Sequence, residues 1–275
     1  MAEQESYSED VFKYRGFQVE DGDIEIDPAL EVQEQLARLK FVTGLTEFTG
    51  KSIIDFGSGT GYSLAWITQK IKTAKVLGLD ISENAVKFAS EKYKPCEFKT
   101  FDLCSPDLNM GLGKWDIVMS YEVFEHLKKP EVFLENLKKH VKPDGIIFLS
   151  TPNKDEFSLG YEPSPADPTH LHEYTYKEFI EILNRHFNNV KVFGQRFKNV
   201  ELKRKSEKLL KRNIFDYKIL RGLYWTKFRY IWQNLRGEKL FRFLDGGKLQ
   251  YTFSDFEFVS APEKNLDWFL AVINP

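Results

Sequence analysis

The sequence predicts an α/β protein on a doubly wound, mostly parallel sheet, and three observations lead there. Between Lys51 and Pro152, short continuous apolar runs alternate with segments of helical periodicity. That alternation describes strands buried on both faces by crossover helices. The first run passes straight into a glycine cluster, Gly57-Ser58-Gly59-Thr60-Gly61. Three successive runs also end in or beside an acid, Asp55, Asp80 and Asp102.

The elements follow in order. Ser52–Phe56 is a strand, and Tyr62–Ile71 is a helix with Leu64, Ile67 and Ile71 on one face. Lys75–Asp80 is the second strand. Glu83–Glu91 is a helix carrying Ala85, Val86 and Ala89, with Ser82 as its N-cap. Glu97–Asp102 and Trp115–Ser120 are strands, Glu131–Val141 a helix, and Pro143–Gly145 turns the chain into the strand Ile146–Ser150. Tyr176–Phe187 then reads as a helix, Asn189–Gly194 as a strand and Trp268–Asn274 as the last strand. A separate helix, opened by Asp27-Pro28, runs to about Val42.

Four segments result: a helical cap over 1–50, a core over 51–195, an insertion over 196–260, and the final strand in 261–275. The insertion stands out by charge. Residues 196–248 hold sixteen Lys and Arg against five Asp and Glu, whereas the remainder holds 23 against 36. Its apolar positions, among them Leu209, Ile214, Leu223, Phe228 and Leu235, predict helix. A solvated helical face accounts for the cations as readily as a binding surface does.

Composition narrows the function classes. In 275 residues, 42% hydrophobic content provides a packed core and excludes whole-chain disorder. No apolar run reaches the ~18 residues of a membrane span, and the acidic start MAEQESYSED is not a signal peptide. The two cysteines, Cys96 and Cys104, form neither a disulfide framework nor a zinc spacing. The expectation is a cytoplasmic protein.

A nicotinamide fingerprint needs glycine at the sixth position of the loop, where this chain has Tyr62. The three glycines still allow close backbone approach to a ligand at a helix N-terminus, beyond the carboxyl ends of the strands. A tight strand-to-helix turn explains the loop alone equally well. Asp80 lies twenty-five residues after Asp55, where a carboxylate can bind two ribose hydroxyls. Asp102 can accept from an adenine amine. Each acid taken singly can also be a cap.

These pieces resemble the class I S-adenosylmethionine-dependent methyltransferases: DFGSGTG, LGLD, TFD, WDIVMS and KPDGIIFLSTPN, in order over about residues 51–153. The resemblance implies a Rossmann-like sheet of seven strands with the last antiparallel. It also implies S-adenosylmethionine as cofactor, bordered by Asp55, Gly57, Ser58, Gly59, Gly61, Ile81, Leu103 and Tyr121, with Asp80 at the ribose and Asp102 at the adenine.

Glu122, Glu125 and His126 follow the fourth strand, at spacings that share one face of a helical turn. His170 and His172 follow the fifth, in HLHEYT. An acceptor hydroxyl needs its proton removed or its oxygen bound to a cation. His126 is the candidate general base, with Glu122 and His170 beside it. Alternatively Glu122, Glu125, His126 and His170 hold a divalent ion, Mg2+ or Mn2+. Helix-start carboxylates are the plainer reading of the two glutamates.

E-x-x-E-H resembles the ubiquinone-type O-methyltransferases and the small-RNA 2′-O-methyltransferases, where these positions are linked to a divalent cation. STPN, HLHEYT and GQR resemble the methyltransferases of bacterial surface-polysaccharide synthesis, over about residues 51–197 and the chain end. The implied activity is O-methylation of a sugar, glycan or small acceptor. A quinone precursor, RNA, an amino-sugar nitrogen and a non-catalytic cofactor-binding scaffold stand as alternatives. The basic, aromatic insertion suits an anionic acceptor or peripheral contact with a membrane; the chain's overall charge of −2 counts against nucleic acid.

Overall fold

The computed structural model describes residues 30–106, 111–157, 169–205 and 252–275, together with the backbone of two short strands, β1 (Gln18–Glu20) and β2 (Asp23–Glu25). After the helix α1 (Leu30–Leu45) come β3 (Ser52–Phe56), α2 (Tyr62–Lys70), β4 (Lys75–Asp80), α3 (Glu83–Lys92), β5 (Glu97–Thr100) and β6 (Trp115–Tyr121). A 3-10 turn, Phe124–His126, leads to α4 (Pro130–His140), β7 (Val141–Pro152) and the single turn α5 (Lys154–Phe157). Then follow α6 (Tyr176–His186), β8 (Asn189–Phe197), β9 (Phe256–Ser260) and β10 (Trp268–Asn274).

One eight-stranded sheet carries the fold, in the order β5-β4-β3-β6-β7-β10-β8-β9. The first five strands of that order are parallel, and β10 enters antiparallel between β7 and β8. Seven strands were expected, and the eighth corrects that count. It is β9, which pairs antiparallel with β8 from inside the segment expected to be helical. Phe256-Glu257-Phe258-Val259 alternates as an edge strand should, with Phe256 buried against Phe197 and Trp268. The chain is also helical over 200–205, capped by Asn199, whose Oδ1 accepts from the Glu201 and Leu202 amides. The remaining helical expectation for the insertion, and the Asp27-Pro28 helix start, lie outside the described residues.

Alternation along the strands gives each sheet face its own core. On one face Ile53, Met119, Phe148 and Leu270 pack under α1 and α2, through Leu36, Leu39, Leu64 and Ile67. On the other, Ile54, Val118, Ile147 and Leu149 pack under α4 and α6, through Phe133, Leu137, Phe179 and Leu183. Among the described residues, no helix is long and apolar enough to cross a membrane.

Candidate active site at the carboxyl ends of β3, β4, β6 and β7

The glycine loop is fastened to β4. The Gly57 and Ser58 amides donate to the Leu79 carbonyl at 2.7 and 2.8 Å, and the Gly59 amide donates to Asp80 Oδ2 at 2.7 Å. Asp80 Oδ1 accepts from the Ser82 amide at 2.9 Å, so one carboxylate shapes both the loop and the entry to α3. Burial raises the Asp80 pKa, and those amide hydrogen bonds pull it back down. Gly57 has a φ of 88°, and a Cβ there would strike Val123 Cγ2, so the loop and the segment after β6 are packed in contact. At Gly59 a Cβ would meet nothing within 4 Å.

Three groups nearby have hydrogen-bonding capacity left over. Ser58 Oγ and the Tyr121 hydroxyl are buried without a hydrogen-bond partner. So are both terminal nitrogens of Arg38, a residue with no motif around it to mark it in the sequence. Arg38 comes from α1 and is fully buried; its Nε donates to Gln195 Oε1 at 2.6 Å and its guanidinium lies 5.4 Å from the Trp268 ring centre. Nη1 lies 3.2 Å from Glu122 Oε1 and Nη2 lies 3.5 Å from Glu34 Oε1. Those are charge contacts without in-line hydrogen bonds, and they help hold the Arg38 pKa up against desolvation.

An open glycine turn, two orphaned hydroxyls and a guanidinium with spare donors fit a nucleoside cofactor that ends in an amino acid. Ile81, 61% exposed at the tip of β4, presents the kind of surface a purine covers. Asp102 is exposed, its Oδ1 accepting from the Cys104 amide at 2.9 Å, while Leu103 is buried. Asp55 lies beneath the loop, 3% exposed, and burial, with Asp80 second, pushes its carboxyl up to about 7.

The second half of the site does not keep the shared face that spacing predicted for Glu122, Glu125 and His126. Glu122 follows β6 with a φ of 55°, the left-handed region, and the helical turn starts only at Phe124. Its amide donates to Ser150 Oγ at 3.3 Å, and that hydroxyl donates to Glu122 Oε1 at 2.7 Å. Glu122 is thereby turned toward Arg38. Glu125, His126 and His170 do come together, one ligand atom of each lying within 4.8 Å of the others.

Glu125 is 1% exposed and accepts from Thr151 Oγ1 at 3.0 Å. Burial, and then the Glu122 charge, raise its pKa well above the usual carboxylate range. Its main-chain carbonyl accepts from the Leu171 and His172 amides at 2.9 and 3.1 Å, which moors the histidine loop. His126 Nδ1 lies 2.9 Å from the Thr169 carbonyl. A carbonyl only accepts, so in the neutral imidazole the proton sits on Nδ1. His170 stacks edge-on to His126, ring centres 4.9 Å apart, and its Nδ1 lies 2.8 Å from Glu173 Oε1. His172 instead packs on Tyr174 at 4.4 Å. His140 is a core residue bonded to Asn136, and His186 bridges Glu131 and Glu135 on the surface.

The chain is similar to known proteins both in sequence and in fold. A probable S-adenosylmethionine-dependent methyltransferase of Mycolicibacterium smegmatis is 28% identical over 134 residues, 49% of this chain and 50% of that protein. A ubiquinone biosynthesis O-methyltransferase of Chromobacterium violaceum is 29% identical over 140 residues, 49% of this chain and 58% of that protein. The chain thus spans about half the length of the curated relatives it matches. In fold it is similar to an S-adenosylmethionine-dependent methyltransferase, a possible histamine N-methyltransferase, from Thermotoga maritima, with a TM-score of 0.54 at 13% identity over 88% of this chain and 89% of that one. The family model described as a methyltransferase domain matches residues 29–192, more than half of the sequence and the site from Glu34 to Tyr174, so the chain belongs to the methyltransferase domain family.

Proposed function

We propose that the chain is an S-adenosylmethionine-dependent methyltransferase that methylates a hydroxyl of a sugar, glycan or related small acceptor. The observation that carries this reading is the contact between Gly57 and Val123, which sets the Glu125–His126–His170 cluster beside the glycine loop. When bound, the cofactor supplies a methyl group on a sulfonium, ready for in-line attack. Asp80 would hold the ribose, Ile81 and Leu103 the purine, and the spare Arg38 donors the cofactor's carboxylate. His126, with its proton on Nδ1, offers Nε2 to the acceptor hydroxyl as general base.

A divalent ion on Glu125, His126 and His170 is the second reading, favoured by the 4.8 Å grouping of their ligand atoms. With Glu122 committed to Arg38 and Ser150, one carboxylate and two imidazoles remain. That donor set suits Mn2+ or another first-row ion better than Mg2+, which prefers oxygen. Such an ion would lower the pKa of a hydroxyl bound to it.

The acceptor side is assigned to the N-terminal helix and the basic insertion, whose charge suits a phosphorylated or nucleotide-linked glycan in surface-polysaccharide assembly. The test is transfer of labelled methyl from S-adenosylmethionine by the purified protein to separate panels of nucleotide sugars, glycans, amino sugars, quinone precursors and RNA, read by mass spectrometry. Methylated sugar oxygen is the expected product. Label on RNA alone, or on a quinone precursor alone, overturns the glycan reading. S-adenosylhomocysteine binding with no transfer to any panel makes the chain a cofactor-binding scaffold.

A further inference from the structure

We infer that Glu173 is a positioning residue for His170, fixing its tautomer and aiming Nε2 at Glu125 and His126. The inference rests on the reading of His170 as part of the reacting cluster. Glu173 is 2% exposed and His170 8%, so the 2.8 Å contact between Oε1 and Nδ1 is made away from solvent. Burying a carboxylate is costly, and an amide or hydroxyl would close the same turn at less expense. What a carboxylate adds is a strong acceptor for Nδ1–H, which fixes the tautomer and leaves Nε2 as the nitrogen with the free lone pair.

The scaffold around Glu173 is rigid enough for that task. Tyr174, the next residue, pairs with Asn153 in a parallel bridge, and its carbonyl accepts from the Lys154 amide at 3.0 Å. The Tyr174 ring stacks on Phe124 at 4.8 Å, next to Glu125 in the chain. The Leu171 and His172 amides close the loop from the other side, on the Glu125 carbonyl. Glu173 therefore stands between two fixed points, and its carboxylate can hold one ring orientation. His126 is held differently, by a main-chain carbonyl at a ring that is 39% exposed. His126 Nε2 also lies 3.7 Å from Glu125 Oε1, so the two imidazoles differ at Nδ1, where the buried one faces a carboxylate and the exposed one a carbonyl.

The test uses the whole protein and two readouts. Long-range proton–nitrogen NMR on imidazole-labelled protein reports the tautomer of each histidine, with His170→Gln used to assign the His170 signals. In the native protein, neutral His170 should carry its proton on Nδ1, and Glu173→Ala should scramble that preference. Steady-state transfer should show kcat lower by ~10–100-fold in Glu173→Ala with KM for S-adenosylmethionine within twofold, the usual cost of losing such a partner. Glu173→Gln, which keeps an acceptor oxygen without the charge, should recover part of both. A proton on Nε2 in the native protein overturns the inference, even if neither variant folds. So does a folded Glu173→Ala protein with unchanged tautomer or unchanged kcat. Should the native protein transfer no methyl group to any acceptor, the activity reading fails, while the spectra still decide what Glu173 does.

Discussion

Ser150 and Thr151, consecutive on β7, each hold a different carboxylate of the site: Ser150 Oγ donates to Glu122 at 2.7 Å and Thr151 Oγ1 to Glu125 at 3.0 Å. Neighbouring strand residues point to opposite sheet faces. Ser150 therefore draws Glu122 toward Arg38 and α1, and Thr151 draws Glu125 toward His126 and His170. The two halves of the site sit on the two faces of one strand, and substitutions should separate them.

Thr151→Val keeps the side-chain shape and removes the donor to Glu125. It should lower methyl transfer and cost ~1–3 kcal/mol in urea unfolding, because a buried carboxyl loses a partner. Its S-adenosylhomocysteine Kd, by calorimetry, should stay within twofold of native. Ser150→Ala should do the opposite, weakening S-adenosylhomocysteine by disturbing Glu122 and Arg38. Equal effects of both variants on binding would refute the division of labour.

Arg38 and Asp80 should be separable by ligand. S-adenosylhomocysteine has both a ribose and an amino-acid carboxylate, whereas methylthioadenosine has the ribose alone. Asp80→Ala should weaken both ligands by about 2 kcal/mol, some 30-fold, through lost charge-assisted hydrogen bonds. Arg38→Lys should weaken S-adenosylhomocysteine at least tenfold and leave methylthioadenosine nearly unchanged, since a point charge replaces the planar fork. Arg38→Met adds a fold penalty of ~3–5 kcal/mol by removing the buried cation beside Glu34 and Glu122, so binding is compared between folded samples. Parallel loss of both ligands in Arg38→Lys would take Arg38 away from the carboxylate.

The sheet and the glycine loop were legible because their signals are local. Buried parallel strands are apolar throughout; Gly57 and Gly59 both take a positive φ that suits glycine, and a side chain at Gly57 would strike Val123. Arg38 was not legible: one cation on a helix bearing Lys40 and Glu34 looks solvated, and only the Glu34–Arg38 spacing gave a hint. Its burial comes from β8 and β10, far along the chain, through Gln195 and Trp268. Glu122 was misplaced for a different reason. Helical spacing was extended over a residue whose φ of 55° ends the strand before any helix begins. Glu173 carried a usable signal in the H-x-x-E spacing from His170, which was passed over in favour of the histidines. The strand Phe256–Ser260 is hidden because the insertion reads as one helical unit from apolar positions that all lie before residue 236.

Asp55 should make the protein's stability depend on pH. Its unfolded carboxyl titrates near ~3.9, whereas burial, with the Asp80 charge second, raises it to about 7 in the folded chain. Between those values the native state keeps a proton that the unfolded chain has lost. Stability therefore falls as pH rises across the window, by on the order of 4 kcal/mol, and this group contributes no slope below or above it. Asp55→Asn, neutral at every pH, should flatten urea-unfolding stability between pH ~4 and ~7 relative to native. Identical slopes in the two proteins would show that Asp55 is ionised throughout.

The cluster of Glu125, His126 and His170 makes opposite predictions according to what activates the acceptor. If it holds a divalent ion, EDTA should abolish transfer and Mn2+ should restore it more effectively than Mg2+, because two of the three donors are imidazoles. Glu125→Gln should then mimic chelation, while Glu122→Gln should retain metal dependence, since Glu122 faces Arg38 rather than the cluster. If His126 is a general base without a metal, EDTA should have no effect, and His126→Ala should lower kcat by ~10²–10⁴. Replacing His126 with Gln leaves a side chain able to reach the Thr169 carbonyl but no basic nitrogen, so a base role predicts little rescue. Transfer that survives EDTA and His126→Ala alike would make the cluster a structural clasp between the turn after β6 and the histidine loop, with the acceptor's proton leaving by another route.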